Sequence, residues 1–93
     1  MLITNEALGI DVALVPLKQR HIETFALAIK EFEAWPAPAF RGAVLRCAIK
    51  GGWIERPAWT PEEVSEMPPK NVRFIADAIA TLYAEVMDVN PKA

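Results

Sequence analysis

The chain has 93 residues, a formal net charge of −2, 53% apolar residues and 24% charged residues. This length suits one small domain with a single core, and so high an apolar fraction excludes a disordered chain. The nearly balanced charge excludes a general attraction to nucleic acids or to anionic membranes.

Cysteine content and hydropathy narrow the expected cellular setting. Cys47 is the one cysteine, so no intramolecular disulfide can form and nothing indicates an oxidising compartment. The first residues turn polar at once, unlike a signal peptide, and no apolar run approaches the length of a membrane span. We therefore expect a cytoplasmic protein that does not cross a membrane.

A β-hairpin is predicted over residues 1–15. Leu2-Ile3 and Ile10 to Val15 are rich in β-branched residues, and Asn5 to Gly9 connects them with a glycine at its end. An isolated two-stranded hairpin is only marginally stable in water. The hairpin is therefore expected to pack on the helices or to pair with another chain.

From Pro16 onward the apolar residues recur at helical spacing, which predicts a helical region over residues 16–93. The first helix spans Leu17 to Ala34 and ends at Trp35-Pro36, because a residue before proline is disfavoured in the α conformation. Its predicted inward residues are Ile22, Phe25, Ala26, Ile29 and Phe32.

The second helix is predicted from Pro38 to Lys50 and stops at Gly51-Gly52. Its predicted inward residues are Phe40, Val44, Leu45, Ala48 and Ile49.

A short helical segment follows, from Pro61 to about Met67, with Thr60 as its N-cap and Glu63 completing a capping box. The last helix is predicted from Pro69 to Val89 and closes at Asn90-Pro91. Its predicted inward residues are Val72, Ile75, Ala76, Ile79, Leu82, Tyr83 and Val86.

These elements predict a mainly α (α+β) fold for a single domain over residues 1–93. A small N-terminal β-hairpin precedes a three-helix antiparallel arrangement with one extra short helix.

Side chains capable of catalysis are few. His21 and Cys47 are the one histidine and the one cysteine, and a thiolate–imidazole pair would need both. The periodic pattern predicts His21 at the surface or boundary of the first helix and Cys47 as a small packed residue. Gly51-Gly52 follows a helix, whereas a phosphate-binding loop precedes one. We therefore expect a protein that is not an enzyme and that holds no cofactor and no metal.

The basic residues Arg41, Arg46 and Lys50 leave one alternative open, a small DNA-binding or regulatory protein with a helical core. A helix, a Gly-Gly turn and a second helix start have the outline of a helix-turn-helix motif. The connection from Gly51 to Pro61 is longer than the roughly four residues of that motif, however. Arg41 and Arg46 are expected to lie on a solvated face or to contact an acidic partner.

Three tryptophans lie in proline-rich segments without helical periodicity. A loop tryptophan either anchors its loop to the core or lies on a partner-binding surface. Trp53, between a helix stop and the next helix start, is expected to be buried. The predicted partner-binding residues are Trp35, Trp59, Ile54, Pro57, Arg41 and Arg46.

The strand from Ile10 to Val15, followed by Pro16-Leu17 and an amphipathic helix, resembles the start of phage and prophage tail assembly chaperones. The acidic segment Trp59 to Val64, leading into a last helix, is similar to their later part. This resemblance implies a small protein of the host cytoplasm that self-associates and binds the tape measure protein through helical surfaces. The resemblance assigns a functional role to no individual residue of this chain.

We therefore expect a non-enzymatic protein-interaction domain. Its most specific form is a phage or prophage tail assembly chaperone that binds apolar helical surfaces of a structural partner, a tape measure or other tail protein. The expectation includes self-association into a homo-oligomer. It does not include binding to nucleic acid or to a membrane.

Overall fold

The computed structural model of the protein describes residues 1–87. The mainly α fold with an N-terminal β-hairpin is confirmed. The predicted end of the last helix, at Val89 and Asn90-Pro91, lies outside the described residues. The elements in chain order are β1 (Leu2–Asn5), β2 (Ile10–Leu14), α1 (Gln19–Phe32), α2 (Ala37–Lys50), β3 (Ile54–Arg56), a 3-10 segment (Pro61–Glu66) and α3 (Pro69–Met87).

The hairpin connection is a short 3-10 turn at Glu6–Leu8. The Asn5 Oδ1 atom accepts a hydrogen bond from the Leu8 N–H at 3.1 Å. Gly9 ends the turn at φ 68°, in the left-handed region that glycine adopts without steric cost. The strands then pair antiparallel, with Ile3 opposite Val12, and both side chains are buried on the face toward the helices.

A third strand corrects the prediction that the chain is helical from residue 16 onward. β3 pairs antiparallel with β2, so the sheet has the order β1-β2-β3. Its three residues are too few to show an alternating pattern in the sequence. Trp53 positions the strand: its N–H donates to the Ala48 carbonyl at 3.0 Å, and its carbonyl accepts from the Val15 N–H at 2.9 Å.

The core lies between the sheet and the helices. Trp53 is fully buried, as predicted, and is the largest fully buried side chain among residues 1–87. The centroid of its ring system lies 4.5 Å from that of Phe25, and the Phe25 ring lies 4.9 Å from Tyr83. The apolar residues predicted to face inward from α2 are buried or partly buried, and α2 contacts both α1 and α3.

His21 departs from its prediction as a surface or boundary residue, because it is only 7% exposed. Its Nδ1 atom accepts the Lys18 N–H at 2.9 Å. The imidazole therefore folds back over the start of α1 and satisfies one of the backbone donors that a helix N-terminus leaves free.

The predicted short helical segment is present as a 3-10 helix, Pro61–Glu66. Its predicted capping contact is present, because the Glu63 carboxylate accepts the Thr60 N–H at 3.0 Å. Val64 is buried against the core. Val86 of α3, predicted to face inward, is 47% exposed.

Candidate functional site

Two of the predicted partner-binding residues, Trp35 and Arg46, meet at a groove of about 400 Å³ between α1 and α2. We call it the α1–α2 groove. Its lining residues are Thr24, Ala28, Phe32, Trp35, Ala43, Arg46, Cys47, Lys50 and Gly51.

An aromatic pair forms one part of this groove. The Trp35 and Phe32 rings have centroids 5.0 Å apart and are tilted by 53°. Trp35 is 48% exposed and Phe32 is partly buried. The prediction that Phe32 faces the core is therefore wrong: it lines the groove in contact with Trp35. The spacing of three residues across the end of α1 could have indicated this pairing in the sequence.

Two cations from α2, Arg46 and Lys50, line the same groove. The Arg46 Nη2 atom donates to the Ser65 Oγ atom at 2.8 Å, which links α2 to the 3-10 segment. A guanidinium has five N–H donors, so this bond leaves Arg46 able to bind a carboxylate. None of the described residues that line the groove is acidic. The groove is therefore apolar with a positive charge.

Cys47 also lines the groove and is partly buried. Burial raises the pKa of the Cys47 thiol above its ordinary value, and the positive charge of Lys50 opposes part of that rise. The thiol is therefore mostly protonated at neutral pH and acts as a small apolar contact. His21 is not among the lining residues.

The other predicted partner-binding residues lie elsewhere. Ile54 and Trp59 are partly buried and pack against the core, so Trp59 is less available to a partner than Trp35. Pro57 follows β3 through a cis peptide bond. The Arg41 Nε atom lies 3.2 Å from Asp77 Oδ1, so Arg41 joins α2 to α3.

Within residues 1–87, no cluster of three or more His, Cys, Asp or Glu side chains is arranged to hold a metal ion. Over the same residues, no helix combines the length and apolar character needed to cross a bilayer.

No protein-family model matches this chain, and comparisons with curated proteins and with solved structures found no match. Function is therefore inferred from the geometry of the α1–α2 groove and from the sequence.

Proposed function

We propose that this chain is a non-enzymatic protein-binding domain that holds an amphipathic helix of a protein partner in the α1–α2 groove. The observation that supports it is the contact of the exposed Trp35 ring with the partly buried Phe32 ring in the same groove as Arg46 and Lys50. An amphipathic helix can bury its apolar stripe against the aromatic rings. Asp or Glu residues beside that stripe can pair with the two cations.

Trp35 supplies enough exposed surface to anchor such a helix. A buried tryptophan removes about 150–250 Å² from water. Because Trp35 is 48% exposed, covering it buries roughly a further 100 Å², worth about 2–3 kcal/mol. Truncations that cost this much mark the central residues of protein interfaces, among which tryptophan and arginine are enriched.

The sequence resemblance gives this proposal its most specific form, a phage or prophage tail assembly chaperone. The partner is then a tape measure protein or another tail protein of the host cytoplasm. Helices of such a long partner would expose apolar stripes before assembly, and a groove of this kind would cover them.

The basic residues Arg41 and Arg46 support the DNA-binding alternative less well than they support protein binding. Arg41 lies against Asp77, and Arg46 donates to Ser65. A phosphate-binding surface needs several such cations directed toward one strand of nucleic acid.

The experiment is a co-purification with defined probes. The tagged full-length chain is co-expressed with overlapping segments of the tape measure protein from the same gene cluster, and the dissociation constant of any retained segment is measured. We expect one helical segment with a flanking acidic residue to bind. Trp35→Ala should weaken its binding about 30–100-fold, and Arg46→Ala should weaken it less.

Leu27→Ala is the matched control, because Leu27 is a 76% exposed apolar residue of α1 outside the groove. It should leave binding unchanged. Equal effects of Trp35→Ala and Leu27→Ala would overturn the groove assignment. Failure of every segment to bind would overturn the tape-measure form, and a salt-dependent shift of duplex DNA would favour the regulatory alternative.

A further inference from the structure

Among residues 1–87, no strand pairs with the outer edge of β1. The Met1 carbonyl accepts the Leu14 N–H at 2.8 Å, and in an antiparallel pair such bonds recur at every second residue. The backbone N–H and C=O groups of Leu2 and Thr4 therefore point away from β2. β1 contains no proline, lysine or bulge, the features that commonly protect an edge strand from pairing with another chain.

A second groove, of about 750 Å³, lies beside this edge and is bounded by α3. We call it the β1–α3 groove. Its apolar residues from α3 are Phe74, Ala78 and Leu82, which are all partly buried, and Leu2 on the strand is 61% exposed. An added strand at the β1 edge would lie next to these side chains.

The charges of the β1–α3 groove are divided between the two ends of α3. Lys70 and Arg73 line it near the start of the helix, and Glu85 lines it near the end. Asp77, in the middle, already faces Arg41 at 3.2 Å and Arg73 at 3.9 Å. One end is therefore positive and the other negative, with a neutralised centre.

This pattern is complementary to itself under a twofold rotation. An antiparallel copy of α3 that is centred between residues 77 and 78 places its Glu85 opposite Lys70 and its Thr81 opposite Phe74. Ala78 then lies near the centre, where a small side chain lets two helices approach closely. β1 can also pair with β1 of a second copy about a twofold axis, since Leu2 of one copy can exchange backbone hydrogen bonds with Thr4 of the other across an antiparallel pair.

We propose that the β1 edge and the β1–α3 groove form an isologous dimer interface between two copies of this chain. β1 pairs with β1 of the second copy to make a continuous six-stranded sheet, and the two α3 helices lie antiparallel against each other. The strand edge and the charge order of α3 line the same groove, and each is complementary to itself under a twofold rotation, which is why the occupant is a second copy.

This interface goes beyond the proposed function and does not depend on it. The residues that line the β1–α3 groove and those that line the α1–α2 groove do not overlap. A dimer would therefore present two α1–α2 grooves, and either proposal can fail while the other stands.

The test is sedimentation velocity of the full chain over a range of concentrations at physiological salt. We expect a species of twice the 10.3 kDa chain mass. Ala78→Arg, which places a long cation at the centre of the interface, should give a folded monomer by circular dichroism. Ala84→Arg is the matched control, because Ala84 is an exposed residue of α3 outside the groove, and it should remain dimeric.

A charge exchange tests the antiparallel arrangement itself. Lys70→Glu and Glu85→Lys should each weaken the dimer about tenfold. The double variant should restore it, because both charges of each pair are then reversed. A wild-type monomer well above micromolar concentration, an oligomer that Ala78→Arg leaves intact, or a double variant no better than the singles would each overturn the proposal.

Discussion

Replacing Trp53 by alanine removes the largest fully buried side chain among the described residues. An indole buries about 150–250 Å². At about 25 cal/mol per Å² this area is worth roughly 4–6 kcal/mol, and core tryptophan or phenylalanine truncations cost about 3–5 kcal/mol. A domain of this length has a total free energy of unfolding of roughly 5–14 kcal/mol. Trp53→Ala should therefore remove about a fifth or more of the stability.

Urea unfolding followed by far-ultraviolet circular dichroism measures this loss, because that signal does not depend on the tryptophan removed. Trp35→Ala is the control, since Trp35 is 48% exposed and lies outside the core cluster; it should cost clearly less than Trp53→Ala. Trp53→Phe keeps a ring beside Phe25 and should fall between the two. The reasoning is refuted if the unfolding free energies of Trp53→Ala and Trp35→Ala agree.

Three smaller perturbations test local features. Gly52→Ala should cost about 1–2 kcal/mol in a urea titration because Gly52 has φ 78°, whereas Gly52→Asn should cost less; equal costs would contradict the backbone explanation. His21→Ala should cost about 1–2 kcal/mol, and His21→Gln, whose amide oxygen can accept the Lys18 N–H, should recover part of it. Cys47 should react with iodoacetamide more slowly at neutral pH than a cysteine in a short peptide, because its raised pKa leaves less thiolate; equal rates would argue against burial of the thiol.

Local sequence rules predicted most of the secondary structure. The β-branched segments around Gly9 predicted the hairpin, and the apolar spacing in α2 and α3 predicted both helices to within a residue or two where the structure describes them. These features depend on residues close together in the chain. β3 was missed for the opposite reason, since its pairing with β2 brings together residues about forty positions apart and leaves no periodic signal in three residues.

The candidate site was predicted only in part. Trp35 and Arg46 stood out by residue type, and their meeting in one groove follows from the packing of α1 on α2. The helical spacing places Phe32 on the apolar face of α1, which predicts that it faces the core. Phe32 is the last residue of α1, however, and there its ring packs on Trp35, which follows the helix.

By itself, then, the sequence determined the positions of the hairpin and of the three α-helices to within about two residues over residues 1–87, and that Trp53 would be buried between a glycine stop and a helix cap. Only the tertiary structure decided which exposed side chains share a surface. Arg41 lies against Asp77, Trp59 packs on the core, and the outer edge of β1 lies beside the charges of α3. Such contacts depend on how separate elements pack together, and the spacing of residues within one element carries no record of them.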